Sequence, residues 1–192
     1  NVYDVTVQVS DGNGGTDTQA IAVTVTNINE APVITSAAAV SAAENQTAVT
    51  TVTSSDVDGG APVYTIVGGA DGALFSIDSA TGVLTFNTAR KFESPAGAGG
   101  NNVCGARGPV ADGNGGFDIR AIAITVTNAN EAPVITSGAA VSVAENQTAV
   151  TTVTSSDVDG AAPSYTISGG ADAALFSIDS ATGVLTFNTA PN

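Results

Sequence analysis

Residues 30–91 and 131–192 align without a gap at an offset of 101, and only eight aligned pairs differ, among them Ala42/Val143, Val63/Ser164 and Arg90/Pro191. Residues 1–29 align with 102–130 at the same offset. A 101-residue period suits an immunoglobulin-sized sandwich module and is too long for one unit of a solenoid. The chain therefore divides into the C-terminal hairpin of one repeat (1–29), one complete repeat (30–130) and the N-terminal part of the next (131–192). Any fold proposed for one copy must serve the other.

The local pattern is that of strands and turns. Residues 2–10 alternate with period two, placing Tyr3, Val5, Val7 and Val9 on one face and Asp4, Thr6, Gln8 and Ser10 on the other. Asp11-Gly12-Asn13-Gly14-Gly15 is a hairpin turn, and residues 17–27 return with Ile21, Val23 and Val25 inward. Further strands are expected over Pro32–Glu44, Thr47–Thr53, around Tyr64 and Ile66, over Leu74–Ile77 and over Val83–Asn87. Val49 and Val52 break strict alternation, which predicts a bulge. Asp56–Gly60 is a loop, Asp78–Gly82 a turn, and Ser94–Asn102 a Gly- and Ala-rich loop. With no helical period, the expectation is an all-β, Greek-key immunoglobulin-like sandwich. One stretch conflicts with it. Residues 103–111 stand where the intact strand 2–10 stands, yet seven of the eight positions from 104 to 111 have changed. Gly105, Gly108 and Pro109 are poor strand formers, so this strand is expected to be degraded.

Charge narrows the partners. Lys plus Arg number 4 against 18 Asp plus Glu, a net charge of −14. Phosphate binding needs clustered cationic side chains, so nucleic acid is not an expected partner, nor is an anionic membrane surface. Cations are. The absence of His removes the commonest general base and the commonest zinc ligand, which points away from an enzyme. A single cysteine, Cys104, allows no intrachain disulfide, and no base stands near enough in the pattern to make it a nucleophile; it replaces the core Tyr3. No apolar run approaches the roughly 20 residues of a membrane span, and no signal peptide is visible. A chain without Met reads as a piece cut from a longer protein. The acidic and amide residues gather at two joints, Asn27-Ile28-Asn29-Glu30-Ala31-Pro32 and Asn128-Ala129-Asn130-Glu131-Ala132-Pro133, where stacked modules could share a hard cation.

In order and spacing, these motifs resemble the cadherin-like repeats found in tandem in large bacterial surface adhesins, and more distantly animal cadherin repeats. The motifs that carry the likeness are Ala43-Glu44-Asn45, Asp56-Val57-Asp58-Gly59 followed by Tyr64-Thr65-Ile66, Phe75-Ser76-Ile77-Asp78 with Thr81-Gly82-Val83-Leu84, Phe92-Glu93, Asp11-Gly12 and Asp112-Gly113, and the two joints. The resemblance implies calcium at the joints. By it, the second joint would use Glu44, Glu93, Asn128, Asn130, Glu131, Asp157 and Asp159. The first would use Asn27, Asn29, Glu30, Asp56, Asp58 and Asp112. The chemistry suits the residues: Ca²⁺ takes about six to eight oxygen ligands, and Asp157 and Asp159, two apart in extended chain, point to one side roughly 6–7 Å apart at their backbones. There are departures. Lys91 stands where the family has an acidic ligand, and the joint is one residue shorter than the animal form, with Asn in place of Asp. The resemblance further implies an adhesive role outside the cell or on a bacterial surface, with other repeats of the same protein or adhesin partners as the contacts, and no direct membrane insertion of this segment.

Plainer readings stand beside these. Asp11 and Asp112 could be turn formers only, and Asp78 and Asp179 are read as turn residues. Asn45-Gln46-Thr47 and Asn146-Gln147-Thr148 match the glycosylation pattern by coincidence. A calcium-independent spacer of a secreted multidomain protein, or a sugar-binding β module, would use the same fold.

Overall fold

Alternating β-branched residues build the strands expected of them. The computed structural model describes residues 1–192, all β apart from one-turn 3-10 helices at Gly72–Leu74 and Ala173–Leu175. The chain divides into two units: Asn1–Val40 with Ala48–Asn87 and Gly105–Ile124, and Ser41–Thr47 with Thr88–Cys104 and Thr125–Asn192.

The first unit opens with a hairpin, β1 (Val2–Ser10) against β2 (Thr16–Thr24), in unbroken antiparallel register from Val2↔Thr24 to Ser10↔Thr16. The Asp11 carboxylate closes its turn by accepting the amides of Asn13 at 2.8 Å and Gly15 at 2.9 Å. Both strands are exposed throughout. Next, β3 (Val33–Ile34) pairs with β6 (Ser54–Ser55). β5 (Ala48–Thr51), β9 (Val83–Phe86) and β8 (Phe75–Ile77) form a three-stranded sheet in that order. The register of β5 slips between Ala48 and Thr50, which is the expected bulge. A four-stranded sheet runs in the order β4 (Ala39–Ala43), β11 (Phe117–Thr127), β10 (Val103–Ala111), β7 (Val63–Tyr64). Ile34, Tyr64, Leu84, Phe86, Val110, Ile122 and Ile124 are buried and form the core. The Phe75 and Phe86 rings stack with centroids 4.8 Å apart, and the Tyr64 hydroxyl meets the Ser54 hydroxyl at 3.0 Å. Each fully buried aliphatic or aromatic side chain contributes roughly 1.5–3 kcal/mol.

β10 corrects the expectation of a degraded strand. Residues 103–111 form a full strand between β11 and β7, and Pro109 sits where the ladder is irregular. Arg107 bridges Gly68 and Val110 opposes Tyr64, so three steps along β10 span four along its partner. Proline is tolerated at such a bulge because no ladder amide is required of it. Its carbonyl still accepts the Thr65 amide at 3.1 Å. Gly108 serves the same crossing: a Cβ there would lie 1.8 Å from the Thr65 carbonyl oxygen. Glycine is the residue this close approach needs, and proline is compatible with the bulge beside it.

The second unit holds the near-copy of residues 30–91. β12 (Val134–Ile135) pairs with β14 (Ser155–Ser156). β13 (Ala149–Thr152), β16 (Val184–Phe187) and β15 (Phe176–Ile178) form a sheet in that order, with the bulge repeated between Ala149 and Thr151. Phe176 and Phe187 pack at 4.6 Å. Residues 140–144 and 164–165, the counterparts of β4 and β7, carry no strand. Ile135 is 67% exposed where Ile34 is 3% exposed.

The two glycines of β10 are predicted to differ in tolerance. Gly108→Ala forces backbone apart and should lower unfolding stability by roughly 1–3 kcal/mol, whereas a Cβ at Gly105 meets nothing nearer than 4.0 Å. Chemical denaturation of the two variants checks this; equal stabilities would show that β10 does not cross Thr65 so closely.

Candidate metal centre

The second joint assembles within the second unit. Glu44 follows β4 and is buried, 3% exposed as a residue. Its two oxygens accept the backbone amides of Phe92 at 2.9 Å and Ala129 at 3.0 Å, while its own amide donates to the Thr127 carbonyl at 3.0 Å. One carboxylate thus pins the 88–104 segment and the joint to the end of β4. Asn45 turns the chain away with φ of 63°, a conformation asparagine adopts readily. Asp159 accepts the Glu131 amide at 2.7 Å, and Asp157 accepts the Asp159 amide at 3.0 Å. Carboxylate oxygens of Glu44, Glu93, Glu131 and Asp159 all lie within 4.8 Å of one another.

Positive charge near this cluster is scarce. Lys91 reaches Glu131 Oε1 at 3.3 Å, and the Asn45 amide donates to the same oxygen. The other oxygen of Glu131 and Oδ1 of Asp159 are buried and meet no hydrogen-bond donor. A buried carboxylate oxygen without a donor is costly unless a cation faces it. The Glu44 carboxyl is held below the usual carboxylate range, first by the Phe92 amide and then by the Ala129 amide. Glu93 goes the other way. Its own backbone amide lowers it, but desolvation and the charges of Glu44, Glu131 and Asp159 outweigh that and push it up. Four carboxylates and one ammonium leave an oxygen-rich, negative site whose donor set suits a hard divalent cation.

Of the residues expected at this joint, Glu44, Glu93, Glu131 and Asp159 converge. Asp157 is occupied with the turn to Asp159, and Asn130 turns its amide to the Glu131 carbonyl at 3.0 Å. Asn45 was legible only as part of the Glu-Asn motif; its donation to Glu131 depends on the left-handed turn.

The first joint, within the first unit, is closed differently. Asp58 accepts the Asn27 side-chain amide and the Glu30 backbone amide, both at 2.7 Å. Asp112 accepts the Asn29 side-chain amide at 2.7 Å, and its other oxygen takes the amides of Asn114 and Gly116. Asp56 accepts the Asp58 amide at 2.9 Å. Asp58 is lowered chiefly by the Glu30 amide and Asp112 chiefly by the Asn29 amide. Glu30 is raised by its hydrogen bond with Asp58 and by that neighbour's charge. Glu30, Asp56, Asp58 and Asp112 do not form a close carboxylate group of the kind seen at the second joint. Asp112 therefore works both as a turn former and at the joint, whereas Asp11 and Asp78 serve their own turns; Asp78 accepts the Thr81 amide and hydroxyl, each at 2.8 Å. Cys104 is buried in the place of a core residue.

No protein-family model matches the chain, and no curated protein matches it in sequence. Solved structures do. Extracellular cadherin domains 3–6 of protocadherin gamma B2 superpose with a TM-score of 0.61 at 21% identity, covering 100% of this chain and 52% of that one. Human CDH23 EC21–23 gives 0.62 at 17% identity, over 100% of this chain and 65% of that one. Drosophila N-cadherin EC1–4 gives 0.52 at 17% identity, over 100% and 50%. The fold is that of cadherin extracellular domains. The chain spans about half the length of the protocadherin gamma structures it matches. Within this cadherin fold the four-carboxylate cluster sits at the end of β4, beside the joint to the next repeat.

The direction of these shifts sets an acid sensitivity. Asp11, Glu44, Asp58, Asp78, Asp112 and Asp179 are all lowered by donors that exist only in the folded chain. Such groups stabilise fully above the unfolded carboxylate range, and that stability is lost as pH falls through their folded values. Raised Glu93 and Glu30 act oppositely, opposing folding once ionised and relaxing on protonation. With the lowered groups in the majority, the melting temperature in chelator should fall on acidification below the ordinary carboxylate range. Glu44→Gln should flatten that fall, and a melting temperature independent of pH there would contradict the assigned donors.

Proposed function

We propose that the chain is a calcium-binding cadherin-like module of a cell-surface or secreted adhesin, with repeat boundaries at 29/30 and 130/131, stiffened by Ca²⁺ at its inter-repeat joints. The observation that carries this reading is the pair of buried, donor-less oxygens on Glu131 and Asp159 inside a four-carboxylate cluster. Glu44, Glu93, Glu131 and Asp159 would hold the ion, with Asp157, Asn128 and Asn130 as the further oxygen donors at that joint. The bound cation would supply the positive charge that Lys91 alone does not. Glu44 orients the site by anchoring both Phe92 and Ala129, so occupancy and joint geometry are coupled through one side chain. The extracellular setting and the adhesive role rest on the fold, since the matched structures are extracellular cadherin domains. Adhesive contacts would be made with other repeats or with adhesin partners.

The first joint would take calcium through Asn27, Asn29, Glu30, Asp56, Asp58 and Asp112 once the two asparagine side chains present their carbonyl ends instead of their amides. One observation favours the calcium-independent spacer there: Asp58 and Asp112 are already satisfied by Asn27, Asn29 and backbone amides.

A ligand that binds only the folded state stabilises it by RT ln(1 + [L]/Kd), about 2.7 kcal/mol at a hundredfold excess over Kd. With Kd on the order of 10⁻⁴ M, as for extracellular modules, calcium near ~10 mM should raise the melting temperature, while sodium at equal ionic strength should not. Glu93→Gln and Asp159→Asn should each reduce that rise, and Lys91→Asp should enlarge it by removing a competing ammonium and adding a carboxylate. Identical melts in chelator and calcium for the unaltered chain would refute the calcium reading.

A further inference from the structure

The four-stranded sheet of the complete repeat turns an apolar patch outward, away from the core it covers. Cys104, Ala106 and Val110 of β10 and Ile122 and Ile124 of β11 are buried, so the alternate positions, Arg107, Pro109 and Ala111 with Phe117 and Ile119, face outward. The turn at Asp112–Gly116 sets Phe117 beside Ala111, and Ala111 opposes Val63 of β7 on the same side of the sheet. Val67 continues that edge, its amide donating to the Arg107 carbonyl at 3.0 Å. Phe117 is 60% exposed and Val67 62%, and Val63 and Ile119 are exposed as well.

At an offset of 101, every apolar member of this patch is polar in the other copy. Val63 and Val67 answer to Ser164 and Ser168, two of only eight differences between residues 30–91 and 131–192. Phe117 and Ile119 answer to Thr16 and Thr18, and Pro109 and Ala111 to Gln8 and Ser10. Gly105 stands where the other copy has Asp4, and Arg107 where it has Thr6. Six changes from polar to apolar, the loss of one carboxylate and the gain of one cation thus fall on one face of one repeat. Strand pairing does not call for them, because Gln8, Ser10, Thr16 and Thr18 stand in a ladder of unbroken register. A single exposed apolar side chain needs no explanation, but a contiguous set with an aromatic ring and one arginine has the composition of an interface centre.

We infer that this face of the complete repeat is a self-association surface, on which the same face of a second copy of the chain packs about a twofold axis. Charge selects the occupant. The chain carries a net charge of −14, so two copies repel one another over most of their surface. The outward positions of 63–67, 105–111 and 117–123 include no carboxylate, and Arg107 is their one charge, so here two copies meet without setting acid against acid. An apolar face is complementary to itself. An isologous pairing covers Phe117, Ile119, Val63 and Val67 of both copies at once and closes at two. The serines and threonines at the same places in the other copies offer no such match, so the complete repeat pairs with its own kind. The pairing uses none of the carboxylates assigned to calcium.

Sedimentation equilibrium of the whole 192-residue chain in chelator, over a range of concentrations and at low and high sodium chloride, tests this apart from calcium binding. The expected result is a monomer–dimer equilibrium that tightens as salt screens the like charges. Phe117→Thr with Ile119→Thr installs the side chains that β2 carries at those places, and should raise the dimer dissociation constant at least about tenfold. Arg107→Glu should weaken the dimer as well, by placing a carboxylate from each copy in the contact. All three positions are exposed, so the far-ultraviolet circular dichroism of both variants should match that of the unaltered chain. Val5→Thr, on the exposed face of the β1–β2 hairpin, should leave the dissociation constant unchanged. Four outcomes overturn the inference: a monomeric unaltered chain at all concentrations, a dimer unmoved by the Phe117, Ile119 and Arg107 replacements, an association lost with Val5→Thr, or one that weakens as salt rises (Arg107 pairing with acids elsewhere on the neighbour).

Discussion

Burial of one hairpin face is the interaction on which the repeat depends. β10 and β11 bring Cys104, Ala106, Val110, Ile122, Ile124 and Val126 into the interior, and β4 and β7 exist as strands beside them. Residues 140–144 differ from β4 at one position, Val143 for Ala42, and carry the better strand former there, yet they form no strand. Strand propensity is thus not what decides. A strand edge without a partner leaves its amides and carbonyls to water, and an apolar face without a cover gains nothing from being extended.

Around this core the chain manages an excess of negative charge by giving carboxylates to backbone amides. Glu44, Asp58 and Asp112 each hold two segments together through such bonds, so the same acidic residues that repel one another also join the chain. The second joint differs in having more carboxylate oxygens than donors. Glu93 feels the charges of three neighbours, and Glu131 and Asp159 keep an oxygen each that nothing in the protein satisfies. At the second joint Glu44, Glu93 and Lys91 come from the repeat before it.

Short-range features were legible because local chemistry sets them. The turn at Asp78–Gly82, the bulge near Val49 and the hairpin at Asp11–Gly15 depend on residues within a few positions of one another. The strand 103–111 was misjudged for the opposite reason. Gly108 and Pro109 look like breakers in sequence; Gly108 is explained by Thr65, more than forty residues away, whose carbonyl passes too close for any side chain, and Pro109 by the irregular ladder at the same crossing. Lys91 was legible as an intruding cation, but its pairing with Glu131 was not, because that contact requires the folded joint.

By itself the sequence determined the all-β class, the 101-residue repeat, the turns, and the gathering of acidic residues at two joints, since period, composition and glycine placement act over a few residues. Tertiary structure decided which carboxylates meet and which near-identical segments become strands. Four carboxylates from four separate stretches of chain converge at one joint, while Asp56, Asp58 and Asp112 at the other are spent on amides. The reason is common to both outcomes: a hydrogen-bond ladder, a buried face or a shared charge needs a partner distant in sequence, and only the fold settles where that partner stands.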